Sequence, residues 1–234
     1  MSTRLARQIV SLHSDVPLIA VILASLTSFV LIVLHALGWQ VWLIMILILL
    51  AWLPVFTIIT RSLYRRDRWI AFFFVLLISQ SVHFIEHIAQ MVQIHIMGLS
   101  GTQAHGLIGQ LDLEWVHFLF DACWVLVCVY ILFFLYRKTN PWLWPLIILA
   151  TWHAIEHVAI IHYYITTGVV GSPGLLAQGG AIAGGLPITR PDLHFLYNLA
   201  EEILIIVAYI HQVRRLPAAA SDEVGAAQAR VEMA

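Results

Sequence analysis

The chain has 234 residues, of which 61% are hydrophobic and only 11% charged, with a mean hydropathy of +0.90. Soluble domains average about 25% charged and 45–50% apolar residues, so a water-soluble globular fold is excluded and an integral membrane protein is expected. A formal net charge of -1 without any long basic tract excludes a nucleic-acid partner, which needs positive surface to follow phosphates.

From the N-terminus, MSTRLARQIVSLHSD holds a short apolar run broken by His13 and Asp15, with no small-residue cleavage site after it. No removable signal peptide is expected there. A membrane-crossing helix needs about 20 mainly apolar residues. Six segments qualify, near 17–37, 40–60, 69–97, 114–136, 142–167 and 193–212. The expected fold class is therefore all-α: a polytopic integral membrane protein with six transmembrane helices. The small, polar residues 217–234 have nothing to pack and are expected to be a disordered cytoplasmic tail.

Arg4 and Arg7 precede the first segment, Arg61, Arg65, Arg66 and Arg68 follow the second, Arg137 and Lys138 follow the fourth, and Arg214, Arg215 and Arg230 follow the sixth. If all six segments cross, these lie on one side and Arg190 alone on the other. Cytoplasmic loops hold the excess of Lys and Arg, so both termini are expected in the cytoplasm, with the plasma membrane as the location. Cys123 and Cys128 share one apolar run and project to different sides of a helix, so no disulfide is expected between them.

Helices three to six carry an internal repeat. HFIEH at His83–His87 aligns with HAIEH at His153–His157, and the alignment continues to Gly98 and Gly168. After a longer loop in the second copy, WVHFLFD at Trp115–Asp121 aligns with DLHFLYN at Asp192–Asn198. The expected organisation is an N-terminal hairpin over 1–66, a first repeat over 67–138 and a second over 139–216. The two repeats together form a duplicated four-helix core, related by an axis along the membrane normal.

At about 100° per residue, His83, Glu86 and His87 project within about 100° of one helix face, and His153, Glu156 and His157 repeat the pattern. An ionisable group inside an apolar span costs at least about 2.5 kcal/mol, so six of them call for partners or a function. The fourth segment adds His117 and Asp121 at helical spacing, and the sixth adds His194, Asn198 and Glu201. Facing helices that each contribute Glu and His are the layout of a metal site in a four-helix bundle. At 1.5 Å per residue, His87 and His157 lie about 15 Å, and Asp121 and Glu201 about 12 Å, inside the end opposite the arginines. His117 and His194 lie higher, at the mouth of the site or among its ligands. His95 and His162 project off the stripe, and Asp192 after Pro191 is expected to cap the sixth helix. The apolar loop between Gly168 and Asp192 is long enough to serve as a lid or portal.

The expected metal ligands are thus His83, Glu86, His87, His117, Asp121, His153, Glu156, His157, His194 and Glu201, with Glu86, Glu156 and Glu201 as the catalytic carboxylates. Four buried carboxylates call for two divalent ions to neutralise them. A nitrogen and oxygen donor set without thiolates suits iron first, then zinc, copper or manganese. The expected function is an oxidoreductase of the oxygenase or hydroxylase type, acting on a lipophilic small molecule from the bilayer with a redox partner. The alternatives are a zinc-dependent membrane hydrolase, since HxxEH also serves as an inverted zinc-protease motif, and a haem-binding electron carrier or a metal transporter.

Overall fold

The computed structural model describes residues 16–215, and among these every regular segment is helical apart from one isolated bridge between Gly180 and Gly184. The expectations for Arg4, Arg7, His13, Arg230, the signal peptide and the 217–234 tail fall outside the described residues. In chain order the elements are α1 (Leu18–Ala36), α2 (Val41–Arg66), α3 (Arg68–His95), α4 (Leu113–Cys123), a π-helical turn (Trp124–Val129), α5 (Tyr130–Tyr136), α6 (Leu143–Thr167) and α7 (Arg190–Arg214). Five of them, α1, α2, α3, α6 and α7, are long and apolar enough to cross a membrane, as expected of an α-helical integral membrane protein.

The remaining expected span, 114–136, differs from the sequence reading. It is divided into α4, the π turn and α5, each too short to span alone, although the backbone stays in the right-handed helical region at both junctions. A π turn accommodates one extra residue in the helix, which leaves the apolar pattern nearly intact and so escapes a hydropathy reading.

Local signals account for the starts of α3, α4 and α7. Asp67 caps α3 by accepting from the backbone N–H of Trp69 at 2.7 Å and of Ile70 at 3.1 Å. Asp112 caps α4 by accepting from Trp115 N–H at 3.1 Å. For α7 the expected cap, Asp192, is corrected: Thr189 takes that role, accepting from Asp192 N–H, and Asp192 sits in the first turn beside Pro191. There its carboxylate meets the Nε2 of His95 at 2.7 Å. The Thr189 hydroxyl completes the arrangement by donating back to the Asp192 carboxylate, a local box much like that of a Ser or Thr cap with an acidic residue three positions later.

α1 packs on α2, α2 on α3, and α3, α4, α6 and α7 close around one another through the α3–α7, α4–α6 and α6–α7 faces. Their interior has two storeys. Toward the arginine-bearing ends lies an apolar one, with Phe73, Leu76, Trp124, Leu132, Leu146 and Ile205 all buried. Toward the long loops lies a polar one built from the histidine stripes. Between helices already in lipid there is little hydrophobic driving force for association, so packing and interhelical polar contacts set how the four meet. Large apolar side chains on α1, such as Leu18, Phe29 and Ile32, stay exposed, as a lipid-facing surface requires.

Candidate metal centre

The helical repeat brings the two histidines of each HxxEH motif onto one line, one turn apart. In α3 the Nε2 atoms of His83 and His87 stand 3.2 Å apart, and in α6 those of His153 and His157 also stand 3.2 Å apart. Two imidazole nitrogens each about 2.0–2.1 Å from a shared ion in tetrahedral geometry would be separated by about 3.3 Å. Both pairs are therefore spaced as two ligands of one ion would be.

α4 and α7 bring one histidine each to these pairs. The Nδ1 of His117 donates to the carbonyl of Leu113 at 2.7 Å, and that of His194 donates to the carbonyl of Arg190 at 3.0 Å. With the proton on Nδ1, the Nε2 lone pair is left facing inward, and in both residues it is buried without a hydrogen-bond partner. A metal-ligating histidine is commonly held this way, its other nitrogen donating to a backbone carbonyl. The ring of His117 lies 5.0 Å from that of His87 and 5.4 Å from that of His83. The ring of His194 lies 4.9 Å from His157 and 5.2 Å from His153. The structure thus places both in the cluster itself. All six imidazoles are at most 5% exposed.

Two carboxylates enter this ring. Asp121 Oδ2 lies 2.9 Å from His157 Nε2 and 3.8 Å from His83 Nε2, so it stands between the two pairs. The close contact to His157 lacks hydrogen-bond alignment, and Asp121 Oδ2 is left buried without a hydrogen-bond partner. Glu201 Oε1 meets His153 Nδ1 at 3.1 Å, and its Oε2 accepts from the amide of Gln80 at 3.3 Å. The same amide of Gln80 donates to Asn198 Oδ1 at 3.0 Å. Among the described residues, two triads bring ligand atoms within 4.8 Å of one another: His153, His157 and His194, and Asp121, His153 and Glu201. His153 belongs to both.

The motif glutamates go elsewhere. Glu86 Oε1 accepts from the backbone N–H of Leu107, Ile108 and Gly109 at 2.8 to 3.0 Å, and its Oε2 also accepts from Ile108. Glu156 accepts from the N–H of Leu175 at 2.7 Å and of Leu176 at 2.9 Å. Neither stands in the converging triads. The physical reason is angular: a residue three positions on from the first histidine sits at the edge of the stripe, about 100° from the second histidine, and faces the loop that folds back over its helix. Glycine makes the approach possible, since a Cβ at Gly106 or Gly174 would collide with the Glu86 or Glu156 carboxylate. Each motif therefore presents two imidazoles inward and uses its glutamate to fasten its own loop.

A third buried acid, Glu114, was not singled out from the sequence. Its carboxylate takes a two-armed hydrogen bond from the Arg190 guanidinium, and its Oε1 also accepts from Gly171 N–H at 2.9 Å. Arg190 also reaches the carbonyl of Ser172 at 3.3 Å. The signal available in the sequence was Arg190 itself, the lone Lys or Arg expected on its side, with Asp112, Glu114 and Asp192 as the acids near it. The 168–192 loop is internally bonded as well, with Gly179 N–H to Gly184, Ala181 N–H to Gly174 and Leu186 N–H to Leu176. It lies over the polar storey as a fixed wall, and its own Ala177 is wholly buried.

Outside the cluster, the ring of His162 is exposed, and His95 is engaged with Asp192. Cys123 is a free, exposed thiol. Comparison of the chain with protein-family models, with curated proteins and with solved structures found no match.

Proposed function

We propose that this chain is an integral membrane metalloprotein, and that its histidine and carboxylate centre serves an oxidoreductase. The observation that carries this reading is the convergence of six buried imidazoles and two carboxylates at one level, with four ring nitrogens left unpartnered. A buried polar atom without a partner costs about 1–3 kcal/mol, so four together are unlike a settled structural core. A cation bound among the Nε2 atoms would satisfy those of His117 and His194.

The ligands in this proposal are His83, His87, His117, His153, His157 and His194 with Asp121, and Glu201 holds the His153 ring through Nδ1. The donor set is imidazole and carboxylate, for which iron is the first choice, with copper, zinc or manganese next. A bound metal of this kind would supply reversible electron transfer or polarise a bound small molecule. Loop amides hold Glu86 and Glu156, so of the four carboxylates only Asp121 and Glu201 remain in the cluster to call for cations. Support for a second ion comes instead from geometry: two histidine pairs at equal spacing, with Asp121 between them. The closed triads favour filling first at the α6 and α7 side.

The wider frame is six crossings, counting α4, the π turn and α5 as one, with both termini in the cytoplasm and the long loops outside. The positive-inside distribution supports it. A hydrolase would need a glutamate free beside the metal as general base, and both motif glutamates are engaged by loop amides. A haem carrier would need a flat opening between facing histidines, where this cluster has imidazole against imidazole. A metal transporter would need a continuing path, and the apolar storey lies across it.

The test is metal content per chain on anaerobically purified protein, with absorption spectra before and after reduction. One to two irons and a reversible spectral change support the proposal. Stoichiometric zinc with no redox change would replace the oxidoreductase by a hydrolytic or structural site.

A further inference from the structure

Above the imidazoles is a cavity of about 300 Å³ whose floor is His87, His117, His157 and His194. Among the described residues these four are the histidines with a buried, unpartnered ring nitrogen, Nδ1 in His87 and His157 and Nε2 in His117 and His194. The cavity is roofed by the two long loops, and its rim residues Ser100, Gly101, Thr102 and Gly171 are exposed. It therefore opens on the loop face. In the opposite direction the apolar storey closes it.

The lining carries hydroxyls and carboxamides, from Ser100, Thr102 and Thr189 and from Gln90 and Gln178. Ala104, Leu113, Pro173 and Pro191 supply apolar wall between them, and the one guanidinium, Arg190, is already matched by Glu114, so the walls carry no uncompensated charge. Such a surface gives no electrostatic preference for anions or cations. At about 30 Å³ per water the space holds about ten waters' volume. Only a small molecule fits.

We propose that the substrate of this centre is a small, uncharged molecule that reaches the imidazoles from water through this vestibule, with the bilayer acting as scaffold. The inference rests on the metalloprotein reading for what happens at the floor, and it replaces the lipophilic substrate expected from hydropathy. Glu86 and Glu156 gain a role in it. By fastening the loops at 107–109 and 175–176 they hold the vestibule walls in place, as positioning residues.

Ala104 lines the cavity and is 2% exposed, so Ala104→Cys puts a small reactive group inside it. The full chain carrying this change, in lipid nanodiscs, is treated with hydroxyethyl methanethiosulfonate or with decyl methanethiosulfonate. Each reagent forms a mixed disulfide with the thiolate and releases methanesulfinate, and peptide mass spectrometry reads the site. Cys123, free and exposed on α4, is the internal control for the decyl reagent. The expected result is labelling of position 104 by the hydroxyethyl reagent, slowed about tenfold when Thr102→Trp narrows the mouth, because thiol reactivity follows access. Labelling at 104 by the decyl reagent alone, by neither reagent, or at a rate indifferent to Thr102→Trp would overturn the proposal. No metal is needed for labelling. Protein that labels as expected yet binds no metal would contradict the metalloprotein reading and leave the water route standing, whereas metal-bound protein that fails to label contradicts the route alone.

Discussion

In α3 and in α6 the paired imidazoles stand at the same Nε2 separation of 3.2 Å, and in both the motif glutamate is taken up by loop amides. The helices that return from those loops part company. Where α4 has Asp121, the aligned position of α7 has Asn198; where the π turn has Trp124, α7 has Glu201. Gln80 on α3, which donates to both Asn198 and Glu201, aligns with Ala150 on α6. The indole of Trp124 donates instead to the carbonyl of Leu76 at 3.3 Å. One side thus closes around His153, with Glu201 beneath it and Asp121 across from it. The other side keeps its histidines and lends its carboxylate to the space between. Two copies of one motif can build two unequal positions when only the facing residues change.

The sharpest way to break this comparison is to remove the first motif histidine on each side. His153→Ala is expected to lower metal affinity by more than about a hundredfold, and His83→Ala by about tenfold, since even outer-shell partners of a metal ligand commonly matter 10–100-fold. Equilibrium dialysis with elemental analysis reads both, and equal losses would erase the asymmetry. Exchanging the facing residues comes next. Asp121→Asn should weaken binding by about 10–100-fold. Asn198→Asp adds an acid near Glu201, so unfolding of the metal-free protein should become easier by about 3 kcal/mol, a loss that bound metal reverses.

The shared feature of the two sides predicts smaller and equal effects. Glu86→Gln and Glu156→Gln each weaken charge-assisted bonds to loop amides, so each should cost about 1–3 kcal/mol of loop stability while metal content stays unchanged. Hydrogen exchange should rise at 107–109 in the first variant and at 175–176 in the second. A loss of metal on either change would return that glutamate to the coordination sphere. Least of all, His162→Phe should shift stability by no more than about 0.5 kcal/mol and leave the metal in place, because this ring is exposed away from the cluster.

Helical periodicity made much of this legible. It put His83 with His87, His153 with His157, and Asp121 and Glu201 on inward stripes, because side-chain direction on a helix follows from residue number. His117 and His194 were legible as stripe residues, but their depth depended on helix ends and on how closely α4 and α7 approach, which one-dimensional spacing does not contain. The engagement of Glu86 and Glu156 was hidden for a different reason. Their partners are backbone N–H groups of the loops, which every residue but proline carries, and the only trace in the sequence is the glycines at 106, 109 and 174. The π turn in the predicted fourth span left no mark, since one additional residue in an apolar run keeps it apolar. The exchange of Asp192 for Thr189 as the α7 cap reflects two residues three positions apart whose types both cap well, with Pro191 compatible with either start.

The most direct test of the centre is X-ray absorption at the edge of the bound metal, on wild-type protein and on His153→Ala at matched protein concentration. The account predicts a first shell dominated by nitrogen near about 2.1 Å, with the outer-shell scattering of several imidazole rings, and a clear drop in edge height for the variant. A first shell of oxygen without imidazole scattering, or a signal unchanged by His153→Ala, would contradict it.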